Sequence, residues 1–189
     1  MTPHSPNSLR RRSLLAAGAG ALAVALAGAR EVAARAILQR GMSGGGLAQL
    51  EGSQEPRLAN FGLFASAMQL PDGTTLVLGA IHWIEAGANV QLDSIEVTQC
   101  KPMDDNANGA EVRGRMRANG QGDYPFVINV IDAGRPGSGL DRIDVAVNTP
   151  AARSGAASKP SDETFMYEAT GNLVAGDVQW IIADIDVGP

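Results

Sequence analysis

The chain has 189 residues, among them 15 lysines and arginines, 20 acidic residues, two histidines and one cysteine. Zinc and iron–sulfur centres need several Cys or His ligands, and a disulfide needs two cysteines, so this composition excludes all three within one chain. The formal charge is -5, and removing Arg10, Arg11 and Arg12 takes it to -8; an acidic chain is a poor partner for nucleic acid or an anionic membrane surface.

The first element in chain order is an export signal over residues 1–29. Arg10, Arg11 and Arg12 are followed by Ser13, Leu14 and Leu15 and an Ala/Gly-rich run to Ala29. A charged head, a short apolar stretch and small residues at its end make a cleavable signal, and the pair Arg11 and Arg12 points to the twin-arginine route. A membrane anchor is the alternative. Leu14 to Ala29 falls short of the roughly 20 apolar residues of a span, and Gly18, Gly20 and Gly28 dilute it. The expected partners are therefore the twin-arginine export machinery and an unassigned protein or cell-envelope component. The membrane is met only through the signal before cleavage, and the mature chain is periplasmic, on the cell surface or secreted.

Residues 30–56 read as a linker. Arg30 to Arg40 suits a few helical turns with Val32, Ala36 and Leu38 on one face, and Gly41 and Gly44-Gly45-Gly46 stop them. A flexible tether runs on to Pro56.

Residues 57–189 read as strand, turn, strand. The predicted strands are Asn60–Leu70, Thr74–Glu85, Val90–Cys100, Val112–Ala118, Tyr124–Ile131, Leu140–Asn148, Thr164–Thr170 and Asp177–Val187, with a sharp turn at Pro71-Asp72-Gly73. Between Leu92 and Ile95 the apolar positions change parity, which predicts a bulge near Asp93-Ser94. Phe126, Ile128 and Val130 share one face, as do Ile143, Val145 and Val147, with Arg142 and Asp144 opposite. Arg113, Arg115 and Arg117 alternate along a solvated outer face. No convincing helix interrupts the series, so the expected fold is all-β: an antiparallel immunoglobulin-like sandwich of about seven to nine strands.

From Gly109 to Asn148 the residues resemble a known family. Glu111-Val-Arg-Gly114, Asn119-Gly120-Gln-Gly122-Asp123-Tyr124-Pro-Phe126, Asp132-Ala-Gly134 and Gly137-Ser-Gly139-Leu-Asp141-Arg-Ile143 resemble the post-COAP domain family of exported bacterial surface modules. Tyr167, Gly171 and Gly176 resemble its final hairpin. Asp132-Ala133-Gly134 departs from the adjacent Asp-Gly of the pattern. The resemblance implies an immunoglobulin-like sandwich, export, and no enzymatic activity.

Candidate chemistry is sparse. Asp104, Asn106 and Asn108 before Gly109 match the opening of a calcium loop, but the twelfth position is Arg115 where a bidentate acid belongs. A polar hairpin turn is the plainer reading. Asp132 and Asp141, with Asp123 nearby, form a second candidate oxygen cluster. Any Ser-His-Asp set must use His82, since His4 leaves with the signal, and an imidazole in an apolar strand is usually structural. Cys100 reads as a small apolar residue at a strand end.

The expected function is that of an exported, non-enzymatic structural or interaction module with no catalytic residue and no cofactor. The alternative is an exported protein that binds calcium or a small ligand. A carboxylate-based hydrolase comes third, because it needs two facing acids in a cleft.

Overall fold

A computed structural model describes residues 36–52, 55–70, 72–135, 138–154 and 165–186. The expected export signal, with Arg11 and Arg12, lies outside them. Eight strands follow one another: β1 (Ala36–Leu50), β2 (Arg57–Gln69), β3 (Thr75–Glu85), β4 (Val90–Pro102), β5 (Gly109–Ala118), β6 (Gln121–Ile131), β7 (Arg142–Val147) and β8 (Tyr167–Asp186). A single turn of helix, α1 (Pro150–Arg153), lies between β7 and β8.

Each strand pairs antiparallel with the next, and β1 pairs antiparallel with β8, so the sheet closes into an up-and-down barrel. The all-β class fits the sequence reading. The immunoglobulin-like sandwich does not: a sandwich leaves two sheets with edges, whereas here the first and last strands meet over fifteen residue pairs and abolish them.

Two further expectations are corrected. Ala36–Leu50, read as helical turns and tether, is the strand that closes the barrel. Its glycines permit close backbone approach rather than flexibility. A Cβ at Gly44 would run into the carbonyl oxygen of Asp177 on β8, and one at Gly45 would lie 2.8 Å from that of Phe61 on β2. The second correction concerns the last two predicted strands, which are one continuous β8. Its register against β1 shifts between Leu47 and Ala48, where Val174 is passed over.

Period-two alternation builds the interior. β7 reads half-buried, buried, half-buried, buried from Arg142 to Val147, and β5 alternates buried Val112, Gly114, Met116 and Ala118 with Glu111, Arg113, Arg115 and Arg117 outside. β6 departs from the rule because its outer face is covered too. Asn148 is left-handed (φ 55°) and donates its N–H to the Pro125 carbonyl. Pro125, Val127 and Ala152 of α1 are buried on that side. Thr149 caps α1 by accepting the Ala152 N–H at 3.2 Å. Trp83, Phe126, Met42, Leu92, Met116 and Ile128 are the largest apolar side chains buried inside. An eight-stranded barrel is just wide enough to be filled by side chains or to hold one small ligand.

Candidate functional site: two polar features of the barrel

The hairpins divide the barrel ends cleanly. One end carries Leu50, Arg57, Glu85, Ala118, Val147 and Tyr167. The other carries Gln69, Thr75, Pro102, Gly109 and Ile131.

At the first end a carboxylate is buried. β3 turns Ile81, Trp83 and Glu85 inward in succession, and Glu85 is 1% exposed. Both its oxygens are occupied: Arg57 donates Nε to Oε1 at 2.6 Å and Nη2 to Oε2 at 2.7 Å, and the Tyr167 hydroxyl donates to Oε2 at 2.7 Å. The Trp83 indole N–H in turn donates to the Tyr167 oxygen at 2.9 Å. Trp83 meets Tyr167 edge-on and lies 6.1 Å from Phe61, centroid to centroid. The fork from Arg57 holds the Glu85 carboxyl below its ordinary range, against the opposing effect of burial. Burial, then the bond to Glu85, pushes the Tyr167 phenol well up. Both carboxylate oxygens, the phenol and the indole N–H have partners within the set, so it is a plug.

The other end is built differently. The β3–β4 ladder has four pairs, from Glu85↔Val90 to His82↔Asp93. Beyond it β4 shifts register twice against β5, between Ser94 and Glu96 and between Val97 and Gln99. The predicted bulge near Asp93-Ser94 is the first of these, displaced by about a residue. Ser94 points inward there, and its Oγ accepts the Ile81 N–H at 2.9 Å.

Beside this irregular seam lies a cleft of about 780 Å³. Ala67, Thr75, Val77, Cys100, Gly114 and Phe126 line it from the barrel interior; Glu96, Thr98, Gln99, Lys101, Arg113, Arg115 and Ala152 complete it. That volume lies within the range of about 300–1,000 Å³ typical of small-ligand sites, and the lining joins an apolar inner wall to a polar and charged outer one. Cys100 is 6% exposed, and burial pushes its thiol up to about 11. A thiol so rarely ionised near neutral pH is a poor nucleophile.

The residues singled out from sequence fall as follows. Asn106 Oδ1 accepts the Asn108 N–H at 3.0 Å, and the Asn106 carbonyl accepts the Gly109 N–H at 3.0 Å, so this part of the Asp104–Gly109 loop is a side-chain-capped hairpin turn between β4 and β5. Asp132 and Asp141 brace β8, accepting the N–H groups of Trp180 and Val178, each at 3.3 Å. Asp123 is not with them; both its oxygens hold Arg115. Among the described residues no group of three His, Cys, Asp or Glu is placed to hold a metal ion. His82 is exposed on the outer face, its Nδ1 2.5 Å from Asp93 Oδ1. Partial burial opposes ionisation of Asp93, but the bonds from His82 and Gln91 outweigh it and hold the carboxyl below its ordinary range. Arg113, Arg115 and Arg117 share the outer face, as expected.

Comparison with protein-family models, curated proteins and solved structures found no match to this chain.

Proposed function

We propose that this is an exported, non-enzymatic binding protein that takes a small, mainly apolar ligand in the cleft beside the β3–β4 seam. The observation that carries the reading is the cleft itself, about 780 Å³ and reaching from charged outer residues to the buried Phe126 and Cys100. The contrast with the plugged end supports it. One end satisfies its polar groups internally, whereas the other leaves apolar interior residues lining open space. Chemistry beyond binding has no support, because the thiol is poorly ionised and His82 lies on the outer face, paired with Asp93.

Binding of the uncharged dye N-phenyl-1-naphthylamine tests the reading. Its fluorescence should rise saturably, and bound dye should slow alkylation of Cys100, the chain's one cysteine. Ala67→Trp, which fills the cleft, should abolish both effects. Dye binding that survives Ala67→Trp, or no binding at all, would sink the proposal. Export is tested separately with Arg11→Lys and Arg12→Lys together, which keep charge but lose the guanidinium fork. A doubly substituted precursor exported at the normal rate would exclude the twin-arginine route.

A further inference from the structure

Resting on the cleft reading above, we infer that the ligand is an uncharged amphiphile, an apolar body carrying a hydroxyl, carbonyl or amide group held by Gln99. Three cations line the cleft, Lys101, Arg113 and Arg115, and cations at the mouth of an apolar site ordinarily mark an anionic ligand. Here the charge of each is already paired with a carboxylate of the protein itself. Arg113 donates Nε and Nη2 to the two oxygens of Glu111 at 2.8 and 3.2 Å, and Nη1 to the Ala151 carbonyl at 3.1 Å. Arg115 forks onto Asp123, with Glu96 3.9 Å from its Nη1. Lys101 Nζ lies 3.4 Å from Glu111.

Three cations thus face three carboxylates, Glu96, Glu111 and Asp123, which offset their charge at the rim. The Glu111 carboxyl is held below its ordinary range by Arg113 first, against partial burial, with Lys101 assisting. An anion drawn to Arg113 would have to compete with Glu111, whose side chain is 19% exposed, and leave that carboxylate under-paired in a partly desolvated place. An uncharged group meets no such obstacle. Gln99 is half-buried in the lining and Thr75 stands at its edge. The Gln99 carboxamide offers two donors and an acceptor, and the Thr75 hydroxyl a donor and acceptors. Ala67, Val77 and Phe126 supply the apolar wall for the ligand's body.

The test uses two competitors of equal chain length, dodecan-1-ol and dodecanoate, displacing N-phenyl-1-naphthylamine from the full-length protein. The alcohol should displace the dye at a concentration about tenfold or more below that of the acid, a difference of about 1.4 kcal/mol. Its affinity should not change between low and high salt. Gln99→Leu should weaken the alcohol about fivefold relative to the dye, the size of one hydrogen bond. Tighter or salt-sensitive binding of dodecanoate, or equal displacement by both, overturns the uncharged ligand and leaves the cleft reading standing. An alcohol preference unchanged in Gln99→Leu overturns the role of Gln99. Failure of the dye to bind at all removes the cleft reading together with this one. The wild-type comparison of alcohol and acid remains decisive even where Gln99→Leu does not fold.

Discussion

The two ends of the barrel solve one problem in opposite ways. A closed sheet leaves an interior column that must be filled, and at the Glu85 end it is filled with a polar network in which each member satisfies another. At the Thr75 end β3 and β4 stop pairing after His82↔Asp93, and the interior residues Ala67, Val77 and Cys100 line an open cleft. A satisfied polar plug and an apolar opening have different energetic signatures. A plug fails steeply when one member is lost, whereas an opening tolerates change because little packs against it.

The largest predicted effect lies in the wall common to both ends. Val145 is 2% exposed and faces inward between Ile128 and Ala169. Val145→Asp should cost several kcal/mol, on the order of a whole domain's stability. Asp144→Val on the outer face should change urea unfolding by less than about 1 kcal/mol. Equal losses from the two would undo the assignment of inside and outside on β7.

Next in size is the plug. Arg57→Met leaves the Glu85 carboxylate buried without its fork and should lower stability by about 3–5 kcal/mol, while Arg57→Met with Glu85→Leu should recover most of the loss. A single-variant loss below about 1 kcal/mol would show that this end is no more locked than the other.

The pH dependence should separate the ends again. Glu85 is depressed in the folded state, so its contribution is complete above the ordinary glutamate range. It is lost as pH falls through the lower folded value, and Glu85→Gln should flatten this acid limb. At the cleft the Cys100 thiol is raised from 9.0 to about 11, so its contribution is complete below pH 9.0 and is lost as pH rises toward 11. Tyr167 is raised from 10.0 and joins later. Cys100→Ala should therefore move the onset of alkaline loss from about pH 9 to about pH 10, as read by unfolding midpoints across that range. An unmoved onset would mean the thiol is not held in an apolar site.

The smallest effect should be at the cleft mouth. Thr75→Val should alter stability by less than about 0.5 kcal/mol in the same urea assay. A large loss would show the opening to be packed.

The outer arginines of β5, the alternation of β7 and the bulge in β4 were legible because each is a local period-two pattern and its interruption. Closure was not. A sandwich and an up-and-down barrel share the same succession of strands and turns, and they differ in whether the first strand meets the last, which local spacing does not encode. The misreading of Gly44-Gly45-Gly46 has the same root, since glycine marks a tether or a close backbone approach depending on what lies across from it. The plug left a readable trace. Ile81, Trp83 and Glu85 continue one inward parity, and a lone acid on a core face demands a partner. Arg57 and Tyr167, 28 and 82 residues away, could be named only from the fold.

Pairing of β1 with β8 also sets a timetable. β1 leaves the ribosome before all the other strands and β8 after them, so the ladder that closes the barrel forms only when the whole wall is available. Until then β1 presents a glycine-rich edge, and the network around Glu85 lacks Tyr167. Contacts so distant in sequence make folding slow and expose unpaired strands meanwhile.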